Sequence, residues 1–392
     1  MRVLMVDLPA KGGMVLYTGD LCRSLAAQGA EVTLLTSTEY ERKPADATFD
    51  VLPRLRPMHG NKRFVTRLHW MAERFGIALW NGVVRNNIVR NGSWDVVHLQ
   101  QIVAPVDQFI LRPITGQMPL VLTVHDTIPH AERFVSRPSA LRCAYRHFDR
   151  LIVHYERGRA NLVEQYGVPA DRIEVIPHGL RMVEAVESQE DARRKLGLPP
   201  GRRILLFFGT VRPDKGLGTL LKAMARARQQ IENVLLVIAG SAPKDTGFGE
   251  YEKLITALGL DPQVKRFIRF IEDEEIPRFF AAADVCTLPY DHFDSQSGVL
   301  MQAYAHYRPV LVTDVGAIGD MVRADGVGVV VTPADPDALA EGLREVTQNH
   351  EKYRDKCGPK TTMKYTWSRS AQMSIDCYRM LSESRRPAAR RT

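Results

Sequence analysis

The chain of 392 residues has few cysteines and no long apolar run. Its five cysteines are odd in number and scattered without a CxxC pair, which favours neither a disulfide framework nor a zinc site and suits a reducing compartment such as the cytosol. No stretch reaches the roughly 20 consecutive apolar residues that cross a bilayer. The N-terminal run MRVLMVDLPA is short and interrupted by Asp7, so it predicts a first strand rather than a signal peptide.

The composition is that of an ordinary folded protein, with 45% hydrophobic and 25% charged residues. A single core rarely serves more than about 250 to 300 residues, so we expect two domains. Apolar runs alternate with helical stretches twice over, which predicts an α/β fold of two doubly wound, Rossmann-like domains with parallel sheets. We place the first domain at 1–180, a linker containing a short helix at 181–202, and the second domain at 203–367. Ligands should bind at the carboxyl ends of the strands.

Positive charge is concentrated between Arg54 and Arg90, where eight Lys or Arg residues accompany one Glu in a chain of formal net charge +8. Apolar and basic residues recur there at helical spacing, which predicts a basic amphipathic helix. Either its apolar stripe packs on a sheet while its arginines are solvated, or the helix binds anionic lipid. No recognition module supports nucleic acid. The apolar residues are Phe64, Leu68, Met71, Phe75 and Leu79, and the proposed membrane or acceptor face is Arg63, Arg67, Trp70 and Arg74.

Small and polar residues follow two predicted strands of the first half. Gly12 and Gly13 come shortly after the first strand, where they would let backbone amides approach a ligand, although a plain turn explains them equally. His125 and Asp126 follow the strand LVLTV. A histidine in that position is more often structural than catalytic, and both roles stay open.

A basic loop follows the first strand of the second half. In FFGTVRPDKG, Arg212 and Lys215 stand three residues apart, before a helix that begins near Gly218. Two cations beside a helix N-terminus favour negative charge, so the loop predicts a diphosphate site. The alternative is an exposed basic turn.

A second helix N-terminus is predicted in DSQSGVLMQA. The hydroxyls of Ser295 and Ser297 and the free amides around Gly298 would suit the other side of a phosphate. Asp294 would repel phosphate, so we assign it to sugar hydroxyls. The acidic run at 272–277 is typical of a helix N-terminus, and we predict no metal site.

Several segments, in this order, carry a family resemblance: GGMVLYTGDLCRSLAAQGAEVTLLTS, TVHD, IPHG, FFGTVRPDKGLGTLLKAM, IAG, AADVCTLPY and SGVLMQAYAHYRPVLVTDVG. Together they resemble a retaining glycosyltransferase of the GT-B fold, in family four (glycosyl transferases group 1). The resemblance covers nearly the entire chain. It implies two domains facing across a cleft, a nucleotide-sugar donor bound chiefly by the second domain, and an acceptor bound chiefly by the first. It also implies that a last helix, at about 368–385, packs back on the first domain.

The resemblance also implies residue roles. Arg212 and Lys215 would hold the donor diphosphate, His125 would lie near the donor sugar, and Asp294 completes the catalytic set. Family members commonly carry two glutamates with seven residues between them; here Asp294 and Gln302 hold those places, so the ribose contact loses a charge. The donor-binding set is Gly12, Gly13, Gly209, Ser295, Ser297, Gly298, Val299 and Gln302.

The implied reaction is a metal-independent, retaining transfer of a hexosyl group from a UDP- or GDP-sugar to an acceptor hydroxyl. Arg212, Lys215 and the amides around Gly298 would stabilise charge on the leaving diphosphate. No cofactor is expected besides the donor substrate. The expected partners are the nucleotide sugar, a glycan or lipid-linked acceptor and an anionic membrane surface on the cytoplasmic side, without nucleic acid.

Three other classes stay open. A nucleotide-sugar epimerase of GT-B fold would need acids and a histidine that move protons at the sugar. A catalytically inactive nucleotide-sugar-binding homologue is compatible with Gln302. A phosphorolytic enzyme would bind a pyridoxal cofactor through a lysine, and no residue argues for one.

Overall fold

The computed structural model describes residues 1–9, 13–40, 48–58, 67–127, 138–180, 187–231, 233–242, 247–293 and 297–385. The chain divides into two compact units, Met1–Gly179 with Trp367–Thr392, and Leu180–Thr366. Some predicted site residues lie outside the described part of the chain, namely Gly12, Arg63, Asp294 and Ser295, and so does the side chain of Arg67.

The first unit is a seven-stranded parallel sheet in the order β3-β2-β1-β4-β5-β6-β7. Its strands are β1 (Arg2–Val6), β2 (Glu31–Ser37), β3 (Asp50–Leu55), β4 (Val96–Leu99), β5 (Leu120–Thr123), β6 (Arg150–Val153) and β7 (Ile173–Val175). The helices of this unit are α1 (Gly13–Ala27), α2 (Arg67–Asn91), α3 (Ala104–Ile110), α4 (Pro138–Tyr145), α5 (Glu156–Tyr166) and, from the end of the chain, α15 (Trp367–Ser384).

The second unit is a six-stranded parallel sheet in the order β10-β9-β8-β11-β12-β13. Its strands are β8 (Arg203–Phe208), β9 (Val234–Ala239), β10 (Val264–Phe267), β11 (Val285–Leu288), β12 (Val310–Thr313) and β13 (Gly328–Val331). Its helices are α6 (Gln189–Lys195), α7 (Leu217–Ala227), α8 (Gly249–Ala257), α9 (Ile276–Ala282), α10 (Gly298–Ala305), α11 (Ile318–Asp325), α12 (Pro336–Gln348), α13 (His350–Arg354) and α14 (Pro359–Thr362).

Hydrophobic patterning explains these elements. The central strands β4, β5, β9, β11 and β12 are buried at every position, as expected for parallel strands covered on both faces. In α7, burial recurs at Leu217, Leu220, Leu221 and Met224, which gives the helix one apolar face toward the sheet.

Two elements show what patterning leaves out. The edge strand β3 was not predicted, because Pro53 and Arg54 interrupt its apolar run and a strand of this kind is tolerated at a sheet edge. Helix α15 shares the core of the first unit, where Trp367, Ile375 and Tyr378 lie among buried residues of β1 and α1.

Candidate functional site

Each sheet reverses its strand order beside its first strand. In the first unit β1 lies between β2 and β4, and in the second β8 lies between β9 and β11. At such a switch point the neighbouring connections leave on opposite faces of the sheet, and open α/β sheets bind ligands in the crevice that results. We therefore expect ligand contacts in the segments after β8 and β11 of the second unit, and in those after β1 and β4 of the first.

Lys215 ends a short 3₁₀ helix, Pro213–Lys215, in the loop after β8. Its Nζ lies 3.6 Å from the ring centroid of Tyr290 and 4.4 Å from that of Phe293, so the cation rests on two aromatic faces. Burial lowers the pKa of Lys215 to about 8, with the nearby Arg212 charge acting in the same direction. Among the described residues, no carboxylate pairs with this ammonium group. A half-buried cation held in this way is suited to an anionic ligand.

Arg212 begins the same turn and is half exposed. Its guanidinium makes a bidentate pair with the Asp214 carboxylate, in which Nε donates to Oδ1 over 3.1 Å and Nη2 donates to Oδ2 over 2.7 Å. The structure therefore places both predicted cations in one loop, but it shows Arg212 already paired. An anion that reaches Arg212 has to share it with Asp214 or displace that carboxylate.

Two glycines let the loop after β8 pass close to its neighbours. Gly216 has φ +68°, and a Cβ at that position would lie 1.7 Å from the carbonyl oxygen of Pro289. Gly209 has φ +106°, and its carbonyl oxygen lies where a Cβ on Gly240 would be, at 1.9 Å. Only residues without a side chain allow these approaches.

Helix α10 begins beside that loop. A Cβ built on Gly209 would lie 3.8 Å from Val299 Cγ2, in ordinary contact. Ser297 is the N-cap, and its buried hydroxyl accepts from the Leu300 amide over 3.4 Å and bonds to the Tyr290 hydroxyl at 3.2 Å. The amides of Gly298 and Val299 have no intrahelical acceptor, as in the first turn of any helix.

Tyr290 connects the two parts of this site, because its ring lies under Lys215 and its hydroxyl bonds to the cap of α10. The side chain of Ser297 serves the cap, so what faces a ligand here is the helix amides. Gln302 lies on the second turn of α10 and is half-buried, outside the fully buried set of that helix. Sequence patterning missed Tyr290, Phe293 and Asp214, since nothing in a tyrosine or phenylalanine after β11 indicates a lysine partner.

In the first unit, His125 follows β5 and is partly buried. Its Nε2 is 3.1 Å from Gln100 Oε1 and its Nδ1 is 3.3 Å from His154 Nε2, so both ring nitrogens have protein partners. Burial, followed by the neighbouring histidines, holds the pKa of His125 well below its ordinary value, and the ring is neutral. Gln100 and His154 were not predicted, although both directly follow buried strands.

The crevice beside β1 contains a buried acid. Asp7 Oδ2 accepts from the Thr18 hydroxyl over 2.6 Å, and burial raises the pKa of Asp7 to about 7. Gly13 begins α1 and has open space where a Cβ would point. The structure thus places Asp7, Gly13 and Gln100 after the two strands that flank the switch point.

Helix α2 exposes apolar side chains beside basic ones. Phe75, Leu79, Trp80 and Val83 are 48%, 45%, 47% and 54% exposed. Arg56 lies over the Trp80 ring at 4.4 Å and Arg74 over the Trp70 ring at 4.8 Å. The alternative in which Phe75 and Leu79 pack on a sheet does not hold, because both are exposed. The buried positions of the helix are Ala78, Asn81, Gly82, Arg85, Asn86 and Val89.

Arg85 is one of the cations counted in the basic segment, but it is not at the surface. It is buried and pairs with Asp107 Oδ1 over 2.8 Å. Within the described ranges, no helix is long and apolar enough to cross a membrane. The same ranges contain no group of three or more His, Cys, Asp or Glu placed to hold a metal ion.

Comparison with known families follows the division into two units. Residues 188–362 match the model of glycosyl transferases group 1, and residues 11–182 match that of glycosyltransferase family 4. The chain belongs to the group 1 glycosyltransferases. Its two parallel sheets with interleaved helices are the two Rossmann-like halves of the GT-B fold.

Relatives of this glycosyltransferase match along nearly its full length. A D-inositol 3-phosphate glycosyltransferase of a Nocardioides species is 28% identical over 399 residues, covering 94% of this chain and 85% of that protein. HepE of Anabaena, solved in complex with UDP, superposes with a TM-score of 0.74 at 18% identity, over 97% of this chain and 100% of the other. WaaG, a glycosyltransferase involved in lipopolysaccharide biosynthesis, superposes with a TM-score of 0.61 at 19% identity, over 98% of each chain.

Proposed function

We propose that this glycosyltransferase moves a hexosyl group from a UDP- or GDP-sugar to an acceptor hydroxyl, with retention of the anomeric configuration and without a metal ion. The observation that supports it best is Lys215, a half-buried cation on two aromatic rings at the switch point, beside Arg212 and the first turn of α10. The site offers positive charge and helix amides to a diphosphate. HepE, with the same fold, has been solved with UDP and with UDP-glucose.

In this proposal the cations act on the leaving group. Lys215, Arg212 and the amides of Gly298 and Val299 stabilise the charge that grows on the diphosphate as the glycosidic bond breaks. Loss of one such preorganised donor typically lowers the rate about 100- to 1,000-fold. The acceptor hydroxyl attacks on the face that the diphosphate leaves, and its proton passes to a departing phosphate oxygen.

The test measures donor binding and transfer separately. Calorimetry with UDP, GDP, UDP-glucose and GDP-mannose in excess EDTA should give binding to one nucleotide series, which also tests metal independence. Lys215→Met should weaken that binding at least tenfold, whereas Lys222→Met, which changes an exposed lysine of α7, should leave it unchanged. Absence of binding to any nucleotide would contradict the proposal.

Transfer is then followed with the nucleotide sugar that binds. Anomeric coupling constants in the product spectrum report retention or inversion. Formation of an epimeric nucleotide sugar without an acceptor would instead favour the epimerase. Donor binding without any turnover on a broad acceptor panel would favour an inactive homologue.

We further propose that the acceptor is a lipid-linked or polysaccharide precursor, reached at the cytoplasmic face of an anionic membrane through α2. The exposed apolar side chains and the arginines stacked on Trp70 and Trp80 support this, because apolar burial and attraction to anionic lipid add together at an interface. Involvement in lipopolysaccharide biosynthesis, which is stated for WaaG, is consistent with it.

A further inference from the structure

Four histidines of the first unit lie near the carboxyl ends of its strands, three of them in ring contact and the fourth, His98, joined to them through Gln100. His98 lies on β4, one residue before its end, while His125, His154 and His178 follow β5, β6 and β7. The rings of His125 and His154 are 5.2 Å apart and those of His154 and His178 5.6 Å. His98 and His154 are fully or almost fully buried, whereas His125 and His178 are partly exposed.

The hydrogen bonds of this set run in sequence from α15 to the end of β7. Tyr378 Oη is 2.6 Å from His98 Nδ1, and His98 Nε2 is 3.4 Å from the Gln100 amide. The amide bonds to His125 Nε2, and His125 Nδ1 is 3.3 Å from His154 Nε2. The last step joins His154 Nδ1 to the carbonyl oxygen of Ile176 over 2.9 Å.

The carbonyl end fixes where the protons lie. The oxygen of Ile176 can only accept, so His154 Nδ1 carries a proton and, in a neutral ring, His154 Nε2 is an acceptor. His125 Nδ1 must then donate to it, which leaves a lone pair on His125 Nε2. Burial lowers the pKa of both His98 and His154 to about 3, so both rings are neutral near pH 7.

A lone pair on His125 Nε2 requires a donor from Gln100. The carboxamide supplies one when it is turned by 180°, which exchanges its oxygen and nitrogen in nearly the same volume. The turn gives up the contact of the amide nitrogen with Met5 Sδ at 3.0 Å, and it places the carboxamide oxygen 3.4 Å from His98 Nε2. The proton on His98 Nε2 has the Thr123 hydroxyl as its nearer acceptor at 2.8 Å, and His98 Nδ1 accepts from the Tyr378 hydroxyl. The hydrogen bonds from Tyr378 to Ile176 can then all run in one direction, with Thr123 as a second acceptor at His98.

We propose that Gln100 and His154 are positioning residues that hold His125 as the neutral tautomer with its proton on Nδ1. His125 then meets a ligand through a basic Nε2, shared with the Gln100 amide, and not through an N–H group. A ring in this state accepts a hydroxyl hydrogen, such as that of a sugar, and offers nothing to a phosphate oxygen. That a sugar is the ligand rests on the proposed function, whereas the tautomer itself does not.

The test reads the tautomer directly in the ligand-free protein. Histidine labelled with ¹⁵N gives long-range ¹H–¹⁵N ring correlations that distinguish protonated from unprotonated nitrogens, and a His125→Gln variant assigns the signals. Wild type should show His125 protonated on Nδ1 alone. In His154→Leu the acceptor is lost, so the Gln100 amide should turn back and His125 should carry its proton on Nε2.

A conservative variant separates positioning from packing. In His154→Gln the amide can donate to Ile176 and accept from His125, so the wild-type tautomer should return. His178→Leu removes a ring that packs on the same cluster without belonging to the Tyr378-to-Ile176 chain, and the tautomer should persist. A His125 proton on Nε2 in wild type, or no reversal in a folded His154→Leu, would overturn the proposal.

If His154→Leu fails to fold, Gln100→Glu tests the hydrogen bond at His125 Nε2 instead. A carboxylate can only accept and carries a negative charge, so His125 must donate through both nitrogens, and its pKa should rise by roughly one to three units. The titratable groups facing His125 are Tyr17 from α1, His98 from β4, and His154 and His178 after β6 and β7, all neutral in wild type. An unchanged ring titration in Gln100→Glu would also overturn the proposal.

Discussion

If Lys215 binds the nucleotide as proposed, nucleotide affinity should depend on pH. Its pKa of about 8 means that the ammonium is charged below pH 8 and is lost as the pH rises through that value. Affinity for UDP should therefore be complete near pH 7 and about tenfold weaker at pH 9, since each pH unit above the pKa costs a factor of about ten.

Two variants isolate this lysine from the titration of the ligand itself. Lys215→Met should bind UDP weakly and lose the part of the pH dependence between 7 and 9 that wild type shows. Lys215→Arg should retain binding without that dependence, because guanidinium stays charged. Calorimetry at both pH values checks this, and a wild-type slope preserved in Lys215→Met would exclude Lys215 from the site.

Asp214 should weaken binding by competing for Arg212. Its ion pair with Arg212 is partly exposed, and such pairs contribute about 0 to 1 kcal/mol. Asp214→Asn should therefore tighten UDP binding by roughly two- to fivefold. The gain in affinity should vanish in the Arg212→Ala background, because no guanidinium is left for Asp214 and UDP to compete for. An equal gain with and without Arg212 would mean that Asp214 acts on the ligand through charge alone.

At the scale of single residues, the sequence predicts where charged side chains lie better than it predicts which side chains they contact. The spacing of Arg212 and Lys215 was enough to predict a cationic loop after β8, and both side chains occur there in one turn. The aromatic support from Tyr290 and Phe293 comes from the segment after β11, which only the strand order brings alongside. Pairing of Arg212 with Asp214, and of His125 with His154, also depends on rotamers that no spacing rule contains.

At the scale of elements, α2 carries the prediction about membranes. Each Lys or Arg near an anionic surface contributes about 1 kcal/mol, and the attraction fades over a Debye length of about 8 Å at physiological salt. We expect the purified protein to co-sediment with vesicles containing phosphatidylglycerol but not with vesicles of phosphatidylcholine alone. Binding should weaken steeply as the salt concentration rises.

Variants distinguish the basic residues of the segment from the exposed apolar side chains of α2. Replacing Arg63, Arg67 and Arg74 with Gln should abolish vesicle binding while preserving transfer to a soluble acceptor analogue. Phe75→Ser with Leu79→Ser should weaken it at all salt concentrations, and Phe270→Ser, at an exposed residue of the second unit, should not. Equal binding to neutral and anionic vesicles would contradict the electrostatic part of the proposal.

Strands and helices followed from periodicity where burial is continuous. All six strands of the second unit and six of the seven in the first unit have apolar runs that predict them. The seventh, β3, has only one fully buried residue, Leu55, so its sequence lacks the signal. In α2 the most apolar stripe is exposed and a more polar face is buried. On the buried face, Asn81 Oδ1 accepts from the backbone amide of Arg56, and its Nδ2 donates to the backbone carbonyl of Arg56.

At the scale of the whole molecule, the histidine cluster should make the stability of the first unit depend on acid. Burial lowers the pKa of His98 and His154 from 6.5 to about 3, so between these values the unfolded state binds a proton at each site that the folded state does not. Each histidine therefore makes its full contribution to the free energy of unfolding above pH 6.5. Below that value the free energy of unfolding falls by about 1.4 kcal/mol per pH unit for each histidine. His125 and His178, whose pKa values are also lowered, act in the same direction.

Asp7 changes the stability of the first unit with pH in the opposite direction to the histidines. Burial raises its pKa from 3.8 to about 7, so the folded state holds a proton there that the unfolded state releases between those values. Its contribution is complete below pH 3.8 and is lost as the pH rises to 7, which offsets one histidine in the same window. The unit should still lose at least about 1.4 kcal/mol per pH unit between pH 6 and pH 4.

Tryptophan fluorescence observes this unit selectively, because all four tryptophans, Trp70, Trp80, Trp94 and Trp367, belong to it. Urea unfolding followed by fluorescence should therefore show stability that declines steadily from pH 6.5 to pH 4. His98→Asn retains an acceptor for Tyr378 and removes one titrating ring, so its slope should be smaller by about 1.4 kcal/mol per pH unit. His292→Asn, in the second unit, should leave the fluorescence transition unchanged. A slope that is the same in wild type and His98→Asn would mean that His98 is not the buried, neutral group that its contacts with Tyr378 and Thr123 describe.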